Sequence, residues 1–300
     1  MYPSRIETAN DKDNSVIAHG FGRIRRSAQM GLLMVVVLLT GCTQAFLYDF
    51  IPRYVVWEMD EFVTLNGDQE DELMALITEA LEVNRNEHMP LYFNFLSDVE
   101  TQIMLGEVSD ADVKEWYTRI INHRAETLAW LAPMGAEFLV KLSDEQHEEL
   151  LANLQRGLDE DDEQLAEDNI SERKERWAEG RIKFVEEMVG DLTESQKASL
   201  MNSVTDQQDT TVEWMAWRHR WLDEFSAALR ARDEARLIAV MSYPETLYSP
   251  EYKAIKVDNR QRSFGHIATF MNGLSEPQRA QLVTQLEEWR QLFAAIAAGG

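Results

Sequence analysis

The chain has 300 residues, of which 45% are hydrophobic, and its 53 acidic and 29 basic side chains give a formal net charge of −24. This hydrophobic content is sufficient for a folded core and excludes both intrinsic disorder and collagen-like sequence. A surface this acidic repels nucleic-acid phosphates and anionic lipid headgroups. We therefore expect no nucleic-acid partner and no direct electrostatic docking on a membrane.

The N-terminal 41 residues have the features of a secretory signal peptide. Arg23, Arg25 and Arg26 form a positive n-region, and the apolar run 31–39 follows it. This run is too short to span the roughly 30 Å hydrocarbon core of a bilayer and has the length of a signal h-region. The alternative interpretation is a membrane-anchor helix followed by an incidental cysteine.

The sequence Leu39, Thr40, Gly41 and Cys42 resembles the lipobox of bacterial lipoproteins, where small residues admit the signal peptidase and the thiol receives diacylglycerol. Cys42 is the only cysteine, so no intramolecular disulfide can form. We predict cleavage between Gly41 and Cys42 and a triacylated Cys42. The resemblance also implies transport to the outer membrane, because Thr43 rather than an aspartate follows the cysteine.

From about residue 47 onward, apolar residues recur at helical spacing, and the whole chain contains only 7 prolines. Two segments show this periodicity best: Trp214, Trp217, Trp221, Phe225 and Ala228, and Leu282, Leu286, Trp289, Phe293 and Ile296. The sequence contains no useful run of period-two strand pattern and no hairpin turn signal. We predict an all-α fold, a helical bundle.

One pattern occurs four times: a leucine, a capping residue, a glutamine three positions later and a second leucine. The cap and glutamine positions are Asn66 and Gln69, Ser143 and Gln146, Thr193 and Gln196, and Ser275 and Gln278. In such a capping box the cap side chain accepts from the N3 amide, and the glutamine accepts from the cap amide. Each copy therefore predicts a helix start, with the preceding leucine in the core. Gly190 and Gly273, just before the third and fourth copies, predict left-handed helix ends.

The spacing of the copies suggests an internal duplication. The first and third caps are 127 residues apart and the second and fourth 132, and segment 138–150 aligns with 270–282 without a gap. We predict a lipidated lead-in segment at 42–62 and two similar helical halves at 63–188 and 189–300. Signal-peptide cleavage would leave a mature chain with a net charge of about −26.

The chain resembles an uncharacterised family of helical lipoproteins of Gram-negative bacteria, a domain of unknown function. The resemblance lies in the aromatic and acidic opening 48–65, in the segment 88–92 (HMPLY) and in the motif that begins at Leu192. It implies no activity. A weaker likeness is to periplasmic stress chaperones and metal sensors with L-T-x-x-Q motifs, which Leu192, Thr193 and Gln196 match. Shared helix-start chemistry is the alternative explanation of that likeness.

The histidines are scattered along the sequence: His19, His88, His123, His147, His219 and His266. None forms an H-E-x-x-H pair, and the pairs 87–88 and 147–148 would need ligands from another helix to hold a metal. The acidic run 159–163 lacks the pattern of a calcium loop and indicates a solvated face or a helix boundary. With no nucleophile elbow, phosphate loop or dinucleotide motif, we predict no catalytic residue, metal site or cofactor.

Residues 214–221 form the most unusual local cluster, because the basic run 218–220 lies between Trp217 and Trp221. With Trp214, these tryptophans form a possible binding surface for a glycan or a peptide. The alternative is that the tryptophans are core residues and the basic side chains pair with carboxylates on the opposite face.

These features predict a non-enzymatic lipoprotein on the periplasmic face of the outer membrane, acting as a scaffold or binding module. Its expected partners are the membrane, through the N-terminal lipid, and an envelope protein. The alternatives are a periplasmic chaperone-like or metal-binding stress protein and, as a less favoured one, a metal-dependent hydrolase.

Overall fold

The protein is described from a computed structural model, which covers residues 48–299. The predicted signal peptide, the cleavage site after Gly41 and the lipidation site Cys42 lie outside the described residues. Within residues 48–299 all regular secondary structure is helical and no strand occurs, which confirms the all-α prediction. In the same part of the chain, no helix is both long and apolar enough to cross a membrane.

Eleven α-helices, labelled α1 to α11, make up most of residues 48–299. They are α1 (Ile51–Met59), α2 (Gly67–Val83), α3 (Met89–Leu105), α4 (Asp110–Lys141), α5 (Asp144–Glu167), α6 (Ile170–Val189), α7 (Glu194–Thr205), α8 (Thr211–Arg230), α9 (Glu234–Ser242), α10 (Pro250–Asn272) and α11 (Glu276–Ala297). A π-helical turn, Asn84–His88, joins α2 to α3, and a 3-10 turn, Pro244–Leu247, precedes α10. The two periodic segments of the sequence are the helices α8 and α11.

The four repeat copies begin helices as predicted. Asn66, Ser143, Thr193 and Ser275 are the N-caps of α2, α5, α7 and α11, and each forms a complete capping box with its glutamine. The leucine before each cap is buried, which confirms that these leucines belong to the core. Each capping box gives a hydrogen-bond acceptor to two backbone amides that would otherwise be unpaired at the helix start.

The two glycines that precede copies of the motif differ in conformation. Gly190 has a positive φ of 81° with an extended ψ of −163°, a region that is open essentially only to glycine. Gly273 has a φ of −84°, so the predicted left-handed conformation is wrong there. Its amide instead donates to the Thr269 and Phe270 carbonyls at 3.1 Å and continues the right-handed turn.

Two large hydrophobic clusters hold the helices together. The first core contains residues of α2, α5, α8 and α9, with Leu229 and Leu237 fully buried. The second core contains residues of α3, α6, α7 and α11, with Ile103 at 1% exposure. Helix α4 reaches both, because Phe138 lies in the first core and Trp116 packs against the second.

Each core thus takes helices from both sides of residue 188. The predicted halves 63–188 and 189–300 are therefore interleaved in space, and the internal duplication stays a prediction about their origin.

Candidate functional site

The repeat copies meet in pairs through their glutamines. Gln69 and Gln146 exchange two side-chain hydrogen bonds, of 3.0 and 2.7 Å between amide nitrogen and oxygen. Gln196 and Gln278 do the same at 2.9 and 3.0 Å. The sequence predicts each capping box but not this pairing, because the partners are 77 or 82 residues apart. We call these contacts the paired-glutamine junctions.

The residue that follows the glutamine bonds back to the preceding helix in two of the copies. His147 Nε2 lies 2.8 Å from the Leu139 carbonyl oxygen, and Arg279 donates to the Met271 carbonyl at 3.3 Å. These two contacts are equivalent under the 132-residue offset of the repeats. Because the side chain of His147 is almost fully buried, this hydrogen bond satisfies a helix-end carbonyl away from water.

The structure uses two of the three predicted tryptophans to attach α8 to α9 and to the segment that follows it. The indole of Trp217 donates to the Pro244 carbonyl at 3.0 Å, and that of Trp221 donates to Val240 at 3.2 Å. Trp214 is 37% exposed, with the Arg218 guanidinium 4.8 Å from its ring centre. A ligand-binding role for the three tryptophans stays a prediction.

The basic residues beside the tryptophans contact the acidic run 159–163, which lies inside α5 and not at a helix boundary. Arg218 pairs with Asp161, and His219 Nε2 lies 2.7 Å from Asp162. This confirms the predicted pairing with carboxylates for two of the three basic residues. Arg220 differs: it donates to the Leu247 carbonyl, and its Nη2 is buried without a hydrogen-bond partner in the described part of the chain.

Beyond Arg220 lies a group of cations and tyrosines, which we call the cation–tyrosine cluster. Its members come from α4, from α10 and from the residue after the 3-10 turn: Tyr117, Arg124, Tyr248, Tyr252, Lys256 and Arg260. Lys256 Nζ lies 5.1 Å from the ring centres of both Tyr248 and Tyr252, and these rings are 4.7 Å apart. The guanidinium of Arg260 lies 4.6 Å from the ring of Tyr117. The positive side chains therefore lie against the faces of the tyrosine rings, in cation–π contact.

The cations Lys256 and Arg260 of the cluster face aromatic rings and not carboxylates. No carboxylate within residues 48–299 forms a salt bridge with Arg124, Lys256 or Arg260, although the chain has 53 acidic side chains. Burial lowers the pKa of Lys256, and the positive charges of Arg260 and Arg124 lower it further. These three cations thus lie close enough to repel one another.

The hydroxyls of Tyr248 and Tyr252 stay protonated at neutral pH. Burial raises the pKa of Tyr252 to about 12, and the neighbouring Tyr248 and the charge of Glu213 add to the effect. Burial also raises the pKa of Tyr248, against the opposing effect of Arg124. Each hydroxyl can therefore donate a hydrogen bond to an anion.

A second aromatic group surrounds the π-helical turn. His88 contacts Trp130 and Tyr92, with ring centres 6.1 and 6.4 Å apart, and Tyr92 meets His123 edge-on at 5.8 Å. The Nδ1 atoms of both histidines are buried without a hydrogen bond. The carboxylate of Glu126 lies 3.8 Å from His123 Nδ1, but residues 48–299 contain no group of three His, Cys, Asp or Glu side chains that could hold a metal ion.

The pair 147–148, which would need ligands from another helix to hold a metal, has other partners. His147 contacts a backbone carbonyl, and Glu148 accepts two hydrogen bonds from Arg230, at 2.7 and 2.8 Å. His266 faces Asp206 at 3.3 Å, whereas His19 lies outside the described residues. Among the histidines of residues 48–299, three thus contact a carboxylate or carbonyl through Nε2: His147, His219 and His266.

The chain matches the model of a family described as "Family of unknown function (DUF6279)" over residues 61–253. The matched segment includes the first three repeat copies and ends shortly before Lys256. No curated protein and no solved structure matches the chain significantly. Because the match covers more than half of the sequence, the chain belongs to this family of unknown function.

Proposed function

We propose that the protein is a non-enzymatic lipoprotein of the bacterial envelope, anchored in the outer membrane through Cys42 and facing the periplasm. In this proposal it acts as a binding module, and not only as a scaffold. The anchor rests on the ordered signal features of residues 23–42 and on the single cysteine. A triacylated N-terminus supplies enough buried hydrocarbon for stable attachment without a transmembrane helix.

The binding role rests on the cation–tyrosine cluster. Elsewhere on this acidic molecule, most arginines contact a carboxylate, as Arg230 contacts Glu148 and Arg236 contacts Glu224. In the cluster, positive side chains are gathered against aromatic rings without such partners. Like charges held together disfavour the folded state, so a ligand that neutralises them would bind with a favourable electrostatic contribution.

One observation favours the chaperone-like alternative. Ile170, Trp177 and Phe184 follow one another at seven-residue spacing on α6, and all three are about half exposed, at 54%, 53% and 45%. An exposed apolar stripe of this kind could hold unfolded segments. If this alternative is correct, replacing Trp177 and Phe184 by Glu abolishes suppression of client aggregation, whereas changes in the cation–tyrosine cluster leave it intact.

The anchor can be tested by replacing Cys42 by Ser. We expect an unprocessed precursor that incorporates no labelled palmitate, because the thiol is the acceptor of the lipid. Metabolic labelling and fractionation of the membranes measure both effects. Normal processing and unchanged membrane association of the variant would contradict the proposal.

The binding role can be tested with a photo-crosslinking amino acid in intact envelopes. One variant carries it at Val257, which is 60% exposed and adjacent to Lys256, and the control variant carries it at the exposed Ala75 on α2. We expect a discrete adduct from position 257 only, lost when Lys256 and Arg260 are both changed to Gln. Equal adducts from both positions, or none from position 257, would refute a ligand surface at the cluster.

A further inference from the structure

The charges of the cation–tyrosine cluster identify the kind of ligand that it can hold. Arg124 and Tyr117 are seven residues apart and share one face of α4, and Arg260 covers the ring of Tyr117. Lys256, one turn before Arg260 on α10, lies within electrostatic reach of both arginines. Two helices therefore bring three formal positive charges to one place.

Without a ligand, cation–π contacts stabilise Lys256 and Arg260, whereas burial and the neighbouring positive charges disfavour the charge of Lys256. Lys256 is half-buried between two tyrosine rings, so water screens its charge incompletely. The acidic groups with an electrostatic effect on these tyrosines are Glu213 and Glu245, and neither forms an ion pair with the cations. The stabilisation that carboxylates give to other arginines of this molecule is missing here.

A phosphate group fits this arrangement better than a single carboxylate. A phosphate monoester carries about −1.5 to −2 charges at neutral pH and three acceptor oxygens, against one charge and two oxygens for a carboxylate. Guanidinium groups offer paired N–H donors in a planar fork, and the ammonium group offers a compact charge. The protonated hydroxyls of Tyr248 and Tyr252 supply further donors.

We infer that the cation–tyrosine cluster binds a phosphate-bearing ligand, with Lys256 and Arg260 as the anion-binding residues and Arg124 as a further positive charge nearby. This inference rests on the proposed function, since it names the ligand class of the same binding surface. The phosphate can belong to a soluble ester or to a lipid headgroup, and the same cations would hold either. The negative charge of the rest of the molecule opposes anions, so binding depends on this local group of cations.

The test uses calorimetric titration of the mature lipidated protein in a non-ionic detergent at low salt. The probes are inorganic pyrophosphate and the short-chain, water-soluble lipid dihexanoyl phosphatidic acid. We expect both to bind, and the double change Lys256→Gln with Arg260→Gln to weaken binding at least about tenfold. A lipid source predicts that phosphatidic acid binds at least about tenfold more tightly than pyrophosphate, and a soluble source predicts the reverse order.

The matched control is the double change Lys253→Gln with Arg262→Gln, which removes the same charge from the same helix outside the cluster. Lys253 is exposed, and Arg262 pairs with Asp258 on its own helix. This control should keep the affinity of the wild type within about twofold, apart from the long-range effect of net charge. Binding that falls equally in both double variants would overturn the inference, as would the absence of binding by both probes.

The two hypotheses fail differently. An adduct at position 257 without phosphate binding would refute the phosphate inference and leave the binding module intact. Phosphate binding that needs Lys256 and Arg260, without any adduct in envelopes, would refute the proposed function in its present form and keep the anion site.

Discussion

The paired-glutamine junctions and the cation–tyrosine cluster differ in whether their polar side chains have polar partners. At the junctions, each glutamine side chain serves a capping box and a partner glutamine, and Gln278 also donates to the Asp191 carbonyl at 2.8 Å. In the cluster, Lys256 and Arg260 contact tyrosine rings, but no carboxylate of the described residues pairs with them.

The difference separates residues that stabilise the fold from residues that are available to a ligand. A buried polar group with all its hydrogen bonds contributes to stability, and its removal leaves its partners unsatisfied. A cation held near other cations contributes little or lowers stability. Mutations in the two regions should therefore change the free energy of unfolding in opposite directions.

The largest expected effect is at His147, beside a paired-glutamine junction. Changing His147 to Ala removes a buried ring and leaves the Leu139 carbonyl without its partner, so we expect a loss of about 3 kcal/mol in the free energy of unfolding. Urea denaturation followed by circular dichroism measures it. The control, His219→Ala, removes a half-exposed histidine and should cost less than about 0.5 kcal/mol. Similar losses at both positions would contradict the structural role of His147.

A double-mutant cycle on Gln196 and Gln278 would sharpen the comparison. Changing Gln278 to Ala removes a capping-box contact, the partner glutamine bonds and the Asp191 contact, so we expect a loss of about 2 kcal/mol. The coupling between the two changes should be about 1 kcal/mol, because the two amides bond each other directly. A coupling near zero in urea denaturation would show that the two glutamines stabilise their helices independently.

The smallest expected effect has the opposite sign and concerns Lys256. Changing Lys256 to Met keeps the aliphatic contact with the tyrosine rings and removes the charge. We expect the relief from burial and repulsion to outweigh the loss of the two cation–π contacts, with a gain of about 0.5 kcal/mol at neutral pH. The gain is small because the ammonium is only half-buried and water screens part of the repulsion.

The pH dependence of this gain follows from the lowered pKa of Lys256. Below its folded-state pKa, the lysine is charged in both states and the folded state is penalised. As pH rises through that pKa towards the ordinary value, the folded state loses the charge first and the penalty disappears. The gain from the Met variant should therefore vanish at alkaline pH, and Lys253→Met should show no such trend in urea denaturation.

The helix starts could be predicted from the sequence because capping is local. The side chains of Ser143 and Gln146 are three residues apart, and their capping-box contacts depend on no other part of the chain. The burial of Leu142 and its three counterparts followed from the same pattern. The conformation at Gly273 did not, since a glycine permits positive φ without requiring it.

The cation–tyrosine cluster could not be predicted, because its members are distant in sequence. Tyr117 and Arg260 come from different helices, and each is unremarkable in its own segment. The sequence drew attention instead to the tryptophans of α8, and the structure uses Trp217 and Trp221 largely to hold α9 and the segment after it. Trp217 also packs against Tyr248, with ring centres 5.2 Å apart, so the predicted surface borders the cluster.

The interleaving of the two cores has a consequence for biosynthesis. The first core needs Leu237 of α9, and the second needs Leu286 of α11, close to the C-terminal end of the chain. A polypeptide emerging N-terminus first can therefore form isolated helices, but it completes the second core only after its last helix has appeared. Until then the apolar faces of α3, α6 and α7 have no complete partner, and exposed apolar surface of this kind favours aggregation.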